Sequence, residues 1–273
     1  MSEKREYAIV DCLTSVDIRK NAVVPNARTR VGGSHDGKQD LGHVCRSIFE
    51  YDNFGFLWVV QEAGVSSPYD NFVSHTGVDE LEFVLDGYCN FKCPDGFNQD
   101  LVPGDCFILR NSMPHKNTHD TLDHLNLLVF YPKQISKIDR VEFMNGTPYK
   151  GDGKCEVVNC YSTPAKQVEP GYHRLNVFDS RATSMAYQYL EPSACIPAVD
   201  LMAKDVDEII YILDGSGIAT YADKTYRLRP HLAIHNPPGT AYRIQNDTNA
   251  DLKMMVFYTT GRTADVKTSS VKF

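Results

Sequence analysis

No uninterrupted apolar run in this chain approaches the roughly 18 residues that a membrane-crossing helix needs, so no span is expected. Sustained helical periodicity is missing as well, because apolar residues do not recur at three- and four-residue spacing over any long window. Basic residues are in the minority, 28 Lys and Arg against 35 Asp and Glu, for a formal net charge of −7 and a pI near 5.7. That balance argues against nucleic acid or an anionic membrane as the main partner, since both reward a basic surface. The eight cysteines form no repeated pattern. Cys89 and Cys93 make a C-x3-C, but without a second pair they fall short of the four ligands of a structural zinc site, and free thiols are the expectation. The segment Met1–Glu6 carries charge with no apolar stretch behind it, so no export signal is read there and a cytoplasmic location with reduced thiols is expected.

What the chain does hold is short apolar runs broken by Gly, Pro, Asn and Asp. Phe54–Val60, Leu81–Leu85, Cys106–Leu109 and Leu125–Phe130 occupy the first half; Ala186–Leu190, Glu208–Leu213, Gly217–Tyr221 and Leu252–Tyr258 occupy the second. Many short strands with frequent turns predict an all-β sandwich or barrel. One phrase occurs twice, 128 positions apart: Asp79–Gly87 (DELEFVLDG) and Asp207–Gly215 (DEIIYILDG). A period of that size is a small domain rather than a solenoid unit, so the 273 residues read as two tandem domains. The expected boundaries are a first domain at 1–135, a polar linker at 136–160 and a second domain at 161–273, with the polar stretch Asn26–Asp40 as a loop.

The paired phrases resemble the two motifs of the cupin superfamily, and their double occurrence resembles a bicupin. Four residues separate His75 from Glu80, and six separate Glu80 from Gly87, as in the family's first motif; Gly104 and His115 match its second. The likeness implies two jelly-roll-like β-barrels and one divalent ion per chain held by His75, Glu80 and His115. The chain departs from the pattern at three places. Val73 stands where the family has its first histidine, Arg110 replaces a proline and Ser112 a glycine. In the second half Glu208 keeps its place, but Met202, Ala203 and Lys204 fill the histidine region and Tyr242 replaces the second-motif histidine. That half is expected to be metal-free.

Strand parity sharpens the first site. Glu80, Glu82 and Val84 alternate onto one face, the interior of the expected barrel, and His115, Asn117 and His119 share a parity of their own. His124 and Asn126 are candidates to join them, whereas Arg110 and Lys116 alternate outward, and His35 and His43 read as loop or surface residues. Inward carboxylates call for a cation or a hydrogen-bond network, because a buried unpaired charge costs several kcal/mol or so. Two imidazoles and one carboxylate can occupy one face of an octahedral ion and leave positions for substrate. Glu82 or His119 would move a proton and Asn117 would orient the substrate.

The motif region resembles that of ring-cleaving bicupins of the homogentisate and gentisate dioxygenase type. This implies an Fe(II) dioxygenase acting on a small aromatic or chelating acid, with Mn, Ni or Zn as other occupants. A non-redox isomerase, lyase or hydrolase using the ion as a Lewis acid is the alternative, and a non-catalytic binding bicupin is a third. A small-molecule substrate and a homodimer are the expected partners.

Overall fold

The computed structural model describes residues 5–24, 28–31, 34–35, 38–39, 43–62, 66–67, 71–118, 124–203, 206–222, 224–262 and 268–271. Among them the regular structure is β-strand throughout, apart from one 3-10 turn at Ile135–Lys137. The eight apolar runs all become strands, some unchanged, as at Gly217–Tyr221 and Leu252–Tyr258, and others lengthened: Leu81–Leu85 lies within Glu80–Gly87, and Leu125–Phe130 within Leu125–Tyr131.

The backbone divides into two compact units, residues 25–162 and residues 1–24 with 163–273. In the first, a seven-stranded antiparallel sheet runs in the spatial order Lys154–Asn159, Asp105–Arg110, Glu80–Gly87, Leu125–Tyr131, Phe54–Gln61, His43–Tyr51 and Arg28–Val31. A four-stranded sheet has the order Asn98–Leu101, Cys89–Lys92, Lys116–Thr118 and Ser66–Ser67. A separate ladder pairs Phe72–His75 with Arg140–Phe143. The core is the product of alternation: Leu57, Val59, Val84, Phe107, Leu109, Leu127 and Val129 of the large sheet pack with Cys89, Phe91, Cys93 and Leu101 of the small one.

The other unit repeats the plan. Glu208–Asp214 lies between Leu232–Asn236 and Leu252–Tyr258, as Glu80–Gly87 lies between Asp105–Arg110 and Leu125–Tyr131. Even the irregularity is repeated, with a register shift at Val84/Asp86 and another at Ile212/Asp214. The shared glycine after each shift has a physical cause. Gly87 and Gly215 sit at φ +84° and +79°, and a Cβ there would lie 1.8 Å from the His124 carbonyl oxygen and 2.2 Å from that of Asp251.

The unit boundaries differ from those expected. Residues 1–24 belong with the C-terminal unit because Ala8–Asp11 pairs with Leu232–Asn236 and extends its nine-stranded sheet. Most of the segment 136–160 is built into the first unit, since Arg140–Phe143 and Lys154–Asn159 are both laddered strands. Within Asn26–Asp40, Arg28–Val31 is an edge strand and Ser34–His35 pairs with Lys38–Gln39; the other positions lie outside the described residues.

Candidate metal centre

Three elements of the first unit converge on one small cavity of about 90 Å³, lined by Val73, His75, Glu80, Glu82, His115, Asn117, Tyr131 and Arg140 among others. His75 ends the short strand Phe72–His75, and Glu80 opens the strand Glu80–Gly87. His115 is bridged backbone to backbone with Val73: the Val73 N–H donates to the His115 carbonyl at 2.9 Å, and the His115 N–H returns the bond at 2.8 Å. The position where the family carries its first histidine is therefore an apolar wall directly across from the second.

The ligand atoms of His75, Glu80 and His115 lie within 4.8 Å of one another, the only such cluster of three or more ligating residues among the described residues. Glu80 Oε2 is 2.7 Å from His75 Nδ1 and 3.8 Å from His115 Nε2. His115 Nδ1–H donates to the Met113 carbonyl at 3.1 Å, which leaves Nε2 as a lone-pair donor facing the carboxylate. Its ring is stacked on Phe91. Tyr131 donates its hydroxyl to Glu80 Oε1, fixing the carboxylate from behind. These contacts orient each donor much as the supporting shell of a metal site does.

One departure from the motif is accommodated locally. Ser112, in place of glycine, adopts φ +60°, and Asn111 beside it φ +52°. Left-handed backbone at such residues costs on the order of 1–3 kcal/mol each, and Asn is the better suited of the two. Hydrogen bonds offset that cost: the Gly77 N–H donates to Ser112 Oγ at 2.8 Å, Ser74 Oγ to the Ser112 carbonyl at 2.6 Å, and the Asn111 N–H to Asp79 Oδ1 at 2.8 Å. The serine side chain thereby ties the turn before His115 to the segment between His75 and Glu80.

Charge inside the cavity is uneven. Burial alone would raise Glu80, but His75 and His115 beside it, with the hydrogen bonds from His75 and Tyr131, hold its pKa down at about 2. Burial lowers His115 to about 4, so its imidazole is neutral at pH 7. Glu82 is pushed well above the ordinary carboxylate range, first by burial and then by the Glu80 charge beside it. The pKa values of two carboxylates in one cavity are thus shifted in opposite directions, the pattern expected where one binds a cation and the other carries a proton. A divalent ion fits this donor set: one ionised carboxylate, a neutral imidazole with an inward lone pair and a second imidazole, all in a buried site.

Of the other predicted site residues, Glu82 and Asn117 line the same cavity, and the buried Asn117 Oδ1 has no hydrogen-bond partner. His119 lies outside the described residues. His124 and Asn126 do not join the site, because Leu125, Leu127, Val129 and Tyr131 hold the inward parity of their strand; the exposed His124 pairs with Asp86 at 3.1 Å. Arg110 pairs with Glu156, and Lys116 lies over the Phe72 ring. Sequence reasoning missed Tyr131 and Arg140. Arg140 stands opposite His75 in the two-stranded ladder and lines the cavity, and no carboxylate among the described residues pairs with its guanidinium.

In the second unit the equivalent carboxylate has a different environment. Glu208 accepts a hydrogen bond from Asn236 Nδ2 at 3.1 Å, and Asn236 Oδ1 accepts one from Tyr221 at 2.8 Å. Tyr242, at the place of the motif histidine, is buried beside Glu208. Lys204 and the side chains of Met202 and Ala203 lie outside the described residues.

Comparison with known proteins gives a fold and no family: no family profile and no curated protein matches the chain. Solved structures do match. A single-site variant of Bacillus subtilis oxalate decarboxylase aligns with a TM-score of 0.66 and 11% identity over 98% of this chain and 80% of that one. An oxalate decarboxylase structure described for its substrate binding mode gives 0.66 and 12% over the same shares. A third, from B. subtilis and described for its Mn(II) centres, gives 0.65 and 12%, again with 98% and 80% covered. At such identity the likeness establishes the fold, two tandem cupin barrels. These neighbours support the bicupin resemblance and not the narrower one to homogentisate and gentisate dioxygenases.

Proposed function

We propose that this chain is a metal-dependent bicupin enzyme using Lewis-acid rather than oxygen-consuming chemistry, a lyase acting on a small carboxylic acid. The observation that carries the reading is the convergence of His75, Glu80 and His115, whose ligand atoms lie within 4.8 Å of one another, on a cavity that Glu82 also lines. The similar folds named oxalate decarboxylase support the lyase alternative over ring cleavage.

In this reading His75, Glu80 and His115 hold one divalent ion. The mixed nitrogen and oxygen set accepts Mn, Fe, Ni or Zn, and availability selects among them. When bound, the ion supplies Lewis-acid polarisation of a substrate oxygen. Arg140 takes a substrate carboxylate as a charge-assisted, two-point partner. Asn117 Oδ1 accepts a hydrogen bond from a substrate or water donor, which relieves its unpartnered burial. Glu82 holds the proton that ends on the substrate carbon once a carbon–carbon bond has broken and carbon dioxide has left. Tyr131 keeps Glu80 in place and stays protonated, because burial and the neighbouring carboxylates oppose its ionisation. The second barrel is structural, its Glu208 hydrogen-bonded by Asn236.

The test is a screen of two- to four-carbon acids with the metal-reconstituted protein, following carbon dioxide release and oxygen uptake together. Release without stoichiometric oxygen consumption is the expected result. Oxygen consumed one for one with a phenolic acid would restore the Fe(II) dioxygenase reading, and no turnover of any acid with metal bound would leave a binding module.

A further inference from the structure

The inner face of the seven-stranded sheet changes character from one strand to the next. The strand Glu80–Gly87 puts Glu82 on the cavity, and the rung partner of Glu82 is Val129. Val129 in turn pairs with Leu57, and two residues along the same strands Leu127 pairs with Val59. All four of these aliphatic side chains line the cavity, yet they are only 2–7% exposed. They form a two-by-two patch on adjacent strands, because side chains two residues apart share one face of a sheet. Tyr131 borders the patch, and its hydroxyl is committed to Glu80.

The polar groups gather elsewhere in the cavity. Arg140 and His75 are rung partners in the two-stranded ladder, Asn117 lies on the four-stranded sheet, and His115 is bridged to Val73. Arg140 is the one Lys or Arg side chain among the lining residues, so one carboxylate of a bound acid finds a permanent cation there. A second carboxylate laid against Leu57, Val59, Leu127 and Val129 would lose its hydration and find no N–H or O–H donor on those side chains to replace it. An alkyl group laid there would lose only its contact with water, which is favourable. Ligand pockets commonly work in this way, with a few polar groups fixing the orientation and apolar side chains covering the remainder.

Resting on the small-carboxylic-acid reading of this site, we propose that the acid it takes carries one carboxylate and a short alkyl substituent. Arg140 holds the carboxylate, and the patch of Leu57, Val59, Leu127 and Val129 covers the substituent. Val129 and Leu57 share the rung of Glu82, nearer the ligand Glu80; Leu127 and Val59 share the next inward rung, that of Val84. Lengthening the substituent therefore extends it from the first pair to the second. These four side chains determine specificity without touching the reacting atoms, and they select against an acid that is charged at both ends.

The experiment titrates acetate, propanoate, butanoate and succinate into the manganese-reconstituted full-length protein and reads their affinities by calorimetry, with no turnover required. Each added methylene should tighten binding about fourfold, the effect of burying one CH2 group. Succinate, which has a carboxylate where butanoate has its methyl group, should bind more weakly than butanoate. Val59→Thr, which keeps the shape and adds a hydroxyl, should weaken butanoate to about the affinity of propanoate and leave acetate unchanged. Equal affinities along the series, or succinate binding more tightly than butanoate, would overturn the alkyl substituent and leave the small-acid reading standing. No binding of any of the four acids would overturn that reading and the substituent together. The unmodified chain carries the series, so a folding defect in Val59→Thr leaves the test intact.

Discussion

The two barrels carry the same strand, the same bulge and the same left-handed glycine, yet they surround their shared glutamate with different company. In the first, Glu80 faces two imidazoles and a tyrosine that supports it from behind. In the second, Glu208 accepts a hydrogen bond from Asn236 and has the neutral Tyr242 buried beside it. A fold can thus keep an inward carboxylate either by giving it a cation or by giving it donors. The backbone does not register the choice, and only the side chains at 75, 115, 236 and 242 do.

The comparison breaks most severely if a ligand of the first barrel is removed. His115→Ala should lower metal affinity by more than the ~10–100-fold typical of merely supporting residues, and turnover should vanish with it; titration with a fluorescent chelator measures the loss. Glu82→Gln separates the two carboxylates: metal should remain bound while turnover falls about 100-fold or more, read from steady-state rates on the reconstituted protein. Tyr131→Phe removes only support, so an approximately 10-fold weaker metal affinity is expected in the same titration. In the second barrel, Tyr242→Phe should cost about 1 kcal/mol of stability in denaturant unfolding and leave metal content unchanged.

The pH profile sharpens the contrast inside the first barrel. His115 must be neutral to bind an ion, and burial lowers its pKa to about 4, so its own protonation should oppose metal binding only as the pH falls close to that value. Glu82 acts in its protonated form, and burial raises its pKa; turnover should therefore decline as rising pH removes that proton. Rates measured across the pH range check both limbs. A rate that rises as Glu82 ionises would assign it the role of a base.

Much of this was legible in the sequence, for physical reasons. Periodicity of two and a 128-residue repeat are properties of the strands themselves, so the strands and the two-domain plan could be read directly, while the expected ligand positions came from the resemblance to the cupin motifs. Glu82 and Asn117 followed from parity alone. Arg140 did not, because it lies in a polar stretch that reads as a linker and reaches the cavity only through a long-range ladder with 72–75. Tyr131 falls one residue past the apolar run, although its parity with Leu127 and Val129 was the signal available. The placement of Ala8–Asp11 against Leu232–Asn236 joins residues more than two hundred positions apart, which no local pattern encodes.

The central claim is that one barrel binds a cation and the other does not. Native mass spectrometry of the manganese-reconstituted chain, beside His115→Ala and Glu208→Gln, tests it most directly. One ion per chain, lost in His115→Ala and kept in Glu208→Gln, is the predicted result. Two ions per chain, or one that survives His115→Ala and disappears in Glu208→Gln, would contradict it.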